Sequence, residues 1–134
     1  MTTQAEQLGV PSDWPGSVPE YLVYVSLTTK QNKQEGIDFT YQSPLMGGRL
    51  TKGGVIIDFL FTDPPDLAIN VQGEDYHYGM GATVSQNDVF VRAQMAGQGI
   101  FLIFIDENDI YIDVDYYVRE ALNYKDHSKL GGGR

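Results

Sequence analysis

One aspartate stands inside an otherwise apolar run, Val55-Ile-Ile-Asp58-Phe-Leu-Phe61. A carboxylate there is costly to bury unless a cation or hydrogen-bond donors meet it, so Asp58 is expected to have a specific role. Shortly downstream, Leu67-Ala-Ile-Asn-Val-Gln72 places two amides, Asn70 and Gln72, on one face of a strand pattern, and Glu74, Asp75 and His77 follow Gly73. If the two segments form a hairpin across Thr62-Asp-Pro-Pro65, pairing Phe61 with Asp66 sets Asp58 opposite Ile69, and one bulge residue sets it opposite Asn70. Either way Asp58 lies beside Asn70 to Gln72, and one sheet edge can gather carboxylates and an imidazole around a hard cation. That grouping has the chemistry of a hydrolase. The 134 residues include no cysteine and 2 histidines, so thiolate nucleophiles and Cys-based zinc sites are excluded, and any metal must be held mainly by oxygen.

The elements that must position these residues follow from local signals. Residues 1–17, with two prolines and two glycines, read as an extended arm that Trp14 can anchor to a surface. Ser17-Val-Pro-Glu20 has the form of a capping box and opens a helix from about Val18 to Asn32. Strands are expected from Asp38 onward, over Gly54–Phe61 and over Asp66–Gln72, the last two as a hairpin. Val89, Phe90, Ala93 and Ala96 have helical spacing within Thr83–Gln98, with Gly99 as terminator. Ile100–Ile105 reads as a central strand, and Val114, Tyr117, Val118, Ala121 and Leu122 trace the stripe of a closing amphipathic helix. The expected fold class is α/β (α+β): one mixed sheet flanked by helices, in a domain of residues 18–124 with a loose tail over 125–134.

Ile57-Asp58-Phe59-Leu60, then Leu67 to Gly73 with His77, then Asp88 and Arg92, then Gly99-Ile-Phe-Leu-Ile-Phe-Ile105, with Pro19-Glu20 in the first helix, resemble the PD-(D/E)xK nuclease superfamily. Within it the chain is similar to the small endonucleases of the very-short-patch-repair branch. The resemblance implies a restriction-endonuclease-like core, a mixed four-stranded sheet in the order αβββαβα, and DNA cleavage dependent on Mg²⁺ or Mn²⁺. It further implies that Asp58 is the metal-binding aspartate and that the backbone carbonyl of Val71 helps to hold the ion. His77 would move a proton to or from the attacking water, and Glu20 would orient the site from the first helix. The superfamily's second acidic position and its lysine fall at Asn70 and Gln72, and in the short-patch-repair branch Gln72 replaces another histidine. Neither amide neutralises a metal or takes a proton from water.

Charge narrows the partners. Eighteen acidic residues against 9 basic ones give −9, which excludes a general nucleic-acid coating protein. The excess is local, because between Lys52 and Arg119 eleven acids face Arg92 alone. No apolar run approaches the ~20 residues of a membrane span, and the N-terminus lacks the basic and apolar regions of a signal peptide, so a location in the host cytoplasm or in a virion is expected, without a membrane partner. Structural roles stand beside the functional ones. Asp58 can pair with Arg49, Lys52 or Arg92, His77 can pack between Tyr76 and Tyr78, and Glu20 can serve only its cap. Asp106, Glu107, Asp109, Asp113 and Asp115 read as a solvated acidic rim, since they lack the spacing of a calcium loop. Two functions fit. One is a small DNA endonuclease of repair, resolvase or phage type, with Lys30, Lys33, Arg49 and Lys52 on the DNA backbone. The other is an inactive nuclease-like fold reused as a structural or adaptor protein, such as a bacteriophage virion component, whose partners are protein subunits.

Overall fold

The computed structural model describes residues 3–45, 55–73 and 92–129. Ser17 opens the helix α2 (Val18–Thr29) with a complete capping box: its side chain accepts the Glu20 N–H, and the Glu20 carboxylate accepts the Ser17 N–H. The helix buries Pro19, Val23, Ser26 and Leu27, which share one face at i, i+4, i+7 and i+8. It stops at Thr29, short of the expected Asn32. Asn32 turns to φ +58°, a left-handed conformation that asparagine tolerates, and the Lys33 N–H closes the end on the Leu27 carbonyl.

The meander of β1 (Phe39–Leu45), β2 (Val55–Phe61) and β3 (Leu67–Gln72) follows, then α3 over residues 92–97, β4 (Phe101–Asp106) and α4 (Glu107–Leu122). The fold is mixed α+β, with one four-stranded sheet in the order β1-β2-β3-β4. The first two junctions are antiparallel, and β3 pairs parallel with β4 from Leu67↔Phe101 to Gln72↔Asp106. A parallel neighbour needs a crossover, and α3 lies in it. Val23, Leu27, Phe39, Phe59, Phe61, Ile69, Ile103, Ile105 and Val118 form one core between the sheet and α2 and α4. Ala68, Met95, Leu102 and Phe104 form a second with α3. Strand β4 is apolar from Phe101 to Ile105 because Ile103 and Ile105 serve the first core while Leu102 and Phe104 serve the second.

Both ends of the chain differ from expectation. The arm includes a short helix, α1 (Gln4–Gln7), capped by Thr3 and Glu6 in a second capping box. Of the expected tail, residues 125–129 lie against β4: Asp126 and Ser128 are buried, and the Asp126 carboxylate accepts the outward N–H of Phe104 at 3.0 Å. The acidic rim is not uniformly solvated. Asp106 is only 3% exposed and accepts the Lys129 N–H, while Asp115 accepts the Ser26 hydroxyl at 2.7 Å. Asp113 leaves helical geometry at φ −162°, ψ 79° and accepts the Tyr116 N–H, so the expected closing helix is the second half of a kinked α4. The residues 83–91 expected to begin α3 lie outside the described residues.

Candidate functional site

Asp58 sits where the sheet is interrupted. The β2–β3 pairing runs through Leu60↔Ala68 and Phe59↔Ile69 and stops; its continuation sets Asp58 opposite Asn70, one of the two expected neighbours, reached by a one-residue shift of the whole pairing rather than by a bulge. The β1–β2 pairing passes from Tyr41↔Phe59 to Ser43↔Ile57 without a pair at Asp58. Side-chain alternation slips at the same point. Phe59 and Phe61 face the α2/α4 core, whereas Ile57 joins Leu60 in the α3 core, although strict alternation would put Ile57 with Phe59.

Two side chains replace the missing ladder bonds. The Asp58 N–H donates to Asn70 Oδ1 at 2.8 Å, and the Val71 N–H donates to Asp58 Oδ2 at 2.8 Å. The N–H and C=O of one residue in an extended strand face the same neighbour, so the Val71 carbonyl also lies on the β2 side. Among the described residues no hydrogen-bond donor meets Asp58 Oδ1. Burial lifts the Asp58 carboxyl to about 7, the negative charge of Glu20 adds to the rise, and the Val71 N–H opposes it.

Glu20 reaches this corner from the first turn of α2. Its Oε2 accepts from the Ser17 hydroxyl at 2.8 Å, and its Oε1 accepts from the Tyr41 hydroxyl at 2.6 Å. Tyr41 stacks on Trp14 at 4.8 Å between ring centroids and lies 5.1 Å from the ring of Phe59. Trp14 also packs edge-on against Tyr21 and Tyr24, and its Nε1–H donates to the Ser17 carbonyl. The arm is thus anchored as its tryptophan suggests, and it is anchored beside the site. Tyr41 and Gly16 were not marked as site residues by sequence reasoning. The signal available was the alternation of Phe39 and Tyr41, which puts a hydroxyl on the face toward α2.

Gly16 is required by close approach. A Cβ on it would lie 1.9 Å from the Tyr41 hydroxyl oxygen and 2.8 Å from Glu20 Oε1. Gly16→Ala is therefore expected to destabilise the fold by about 2 kcal/mol, in the range of other overpacked sites. Urea denaturation followed by Trp14 fluorescence checks this, and an unchanged midpoint would show that Tyr41 does not need the space.

Gln72 is only 1% exposed, and its Oε1 has no hydrogen-bond partner. Arg92 does not pair with Asp58: its guanidinium lies 3.8 Å from Asp126 and over the ring of Phe104. Lys33 pairs with Asp63 at 3.6 Å, at the far end of β2. Asp58, Asn70 and Val71 are therefore brought together, the Glu20 charge acts on Asp58, and Gln72 is the next residue along β3. His77, Glu74, Asp75, Asp88, Arg49 and Lys52 lie outside the described residues.

Oxygen donors suit a hard cation. The open Oδ1 of Asp58, the Val71 carbonyl and the unpartnered Gln72 Oε1 are of the type that Mg²⁺ or Mn²⁺ takes. Against this, among the described residues no group of three or more His, Cys, Asp or Glu side chains is placed to hold a metal. No helix of the described residues is long and apolar enough to cross a membrane. Comparison of the chain with protein-family models, with curated proteins and with solved structures finds no match.

Proposed function

We propose that this chain is a small divalent-metal-dependent DNA endonuclease with a restriction-endonuclease-like core and a thinned PD-(D/E)xK site. The observation that carries the reading is the interruption of the β2–β3 ladder at Asp58, which leaves one oxygen of a half-buried carboxylate without a donor among the described residues. The succession of α2, the β1–β3 meander, α3, parallel β4 and α4 is the order the resemblance implies. Asp58 and the Val71 carbonyl would hold Mg²⁺ or Mn²⁺. When bound, the cation supplies electrostatic stabilisation of the charge that develops on the phosphate oxygens. Asp58 must be ionised for this, Glu20 orients the site from α2, Gln72 offers its amide oxygen, and His77 transfers a proton at the reacting water or the leaving oxygen.

The test is cleavage by the purified chain of single-stranded, mismatched and branched DNA with Mg²⁺ or Mn²⁺. Asp58→Ala is expected to lower the rate on the order of a thousandfold or more. Undiminished cleavage by Asp58→Ala would sink the reading.

A second reading has its own support. Asn70 uses its amide oxygen on the Asp58 backbone, and neither Asn70 nor Gln72 carries charge. On that reading the nuclease-like fold serves as a structural or adaptor subunit of an assembly such as a phage particle. The protein then sediments as an oligomer or with a protein partner, and takes up no Mn²⁺ at Asp58.

A further inference from the structure

A capping box uses one oxygen of its glutamate, and at Glu20 that oxygen is Oε2, bonded to the Ser17 N–H and hydroxyl. The bond from the Tyr41 hydroxyl to Oε1 contributes nothing to the cap. It runs from β1 to α2 and fixes the plane of a carboxylate already tethered at its other oxygen. Tyr41 is itself held on three sides. Trp14 stacks on one side of its ring, Phe59, the residue after Asp58, packs against it, and its hydroxyl passes through the space that Gly16 leaves by having no side chain. Trp14 is in turn tied to the Ser17 carbonyl. The arm, the start of α2, β1 and β2 therefore meet within one hydrogen bond of Glu20 and one residue of Asp58.

We propose that Tyr41 is a positioning residue of the site: seated by Trp14 and Gly16, its hydroxyl fixes Glu20 beside Asp58, so that docking of the arm and assembly of the site are one event. The inference rests on the metal-dependent reading of Asp58. Partners one shell removed from a metal ligand typically change affinity or rate by 10- to 100-fold when removed. Tyr41→Phe keeps the ring, its stacking and its packing on Phe59, and removes the hydroxyl that bonds Glu20. Tyr24→Phe makes the same chemical change one ring away, where the hydroxyl donates to Glu35 rather than to Glu20.

The experiment is titration of the full chain with Mn²⁺, together with steady-state DNA cleavage, for wild type, Tyr41→Phe, Tyr24→Phe, Glu20→Gln and the Tyr41→Phe/Glu20→Gln double variant. Tyr41→Phe is expected to weaken Mn²⁺ binding about tenfold or more and to lower kcat with KM unchanged, while Tyr24→Phe stays within about twofold of wild type. The double variant is expected to be no weaker than Glu20→Gln alone, because the hydroxyl acts only through that carboxylate. If Asp58→Asn abolishes Mn²⁺ binding but Tyr41→Phe leaves affinity and kcat unchanged, the positioning role is overturned and the nuclease reading stands. If wild type takes up no Mn²⁺ and cuts no DNA, the nuclease reading falls and the positioning role falls with it. Equal losses in Tyr24→Phe and Tyr41→Phe would reduce the effect to general loosening and overturn the proposal.

Discussion

Replacing Asp126 with alanine is expected to lower the stability of this protein by about 3–5 kcal/mol, the range measured when one partner of a buried ionic group is removed. Asp126 is 2% exposed, and its carboxylate serves four polar groups. Oδ2 accepts the Phe104 N–H at 3.0 Å and lies 3.8 Å from Arg92; Oδ1 accepts the Ser128 N–H at 2.8 Å and the Ser128 hydroxyl. Phe104 N–H lies on the outer edge of β4, and alanine leaves it buried without an acceptor, at a cost of roughly 1–3 kcal/mol by itself. The same substitution removes the carboxylate that faces Arg92, whose guanidinium packs over the buried Phe104 ring. For a domain of this size the loss corresponds to a fall in Tm of roughly 10–20 °C. Urea denaturation measures it as a lower midpoint at constant slope. Asp126→Asn keeps an acceptor for Phe104 and is expected to lose about half as much. A loss below about 1 kcal/mol in Asp126→Ala would show that residues 125–129 are not part of the folded core.

Asp126 also marks the limit of what the chain reveals before it is folded. Most strands and helices were legible because their signals are local: the Ser17–Glu20 box, the alternation in β3, the apolar run of β4 up to Ile105 and the 3.6-residue stripe in the second half of α4. Asp58 stood out in the sequence because one charge in an apolar run is conspicuous whatever surrounds it. The role of Asp126 was not, because a polar tail segment with a single aspartate carries no period, and its acceptor function exists only once β4 has an outer edge. The register at Asp58 was open for a related reason. The two alignments differ by one residue in the turn, which the turn sequence leaves open, and the observed one carries two bonds, Asp58 N–H to Asn70 and Val71 N–H to Asp58, that only the paired strands create. Tyr41 was hidden in the same way. Its partner Glu20 lies 21 residues earlier, and no spacing rule links them.

Asp58→Asn is expected to make the protein more stable at pH 8 and, on the proposed nuclease reading, to abolish metal-dependent cleavage. Burial and the charge of Glu20 hold the folded carboxyl at about 7, whereas an unfolded aspartate ionises near 4. The folded state therefore binds the proton more tightly than the unfolded one between these values, so this group's contribution to stability is fully present below about pH 4 and is lost as pH rises through 7. A shift of that size corresponds to roughly 4 kcal/mol at most, and partial contact with solvent brings the expected effect to about 2–4 kcal/mol. Asparagine keeps an oxygen for the Val71 N–H and never ionises. Its stability should follow that of wild type near pH 4 and exceed it increasingly toward pH 8. Urea midpoints at pH 4, 6 and 8 for the two proteins measure the divergence, and parallel curves would show that Asp58 ionises normally in the fold. Mn²⁺ supplies the functional half of the test. A cation at Asp58 favours the ionised carboxylate and binds only the folded chain, so millimolar Mn²⁺ is expected to raise the wild-type Tm at pH 8 and leave that of Asp58→Asn unchanged. A site kept for catalysis shows both effects, a stability penalty at alkaline pH and its relief by metal. A carboxylate retained only to clasp β2 to β3 shows the penalty without the relief.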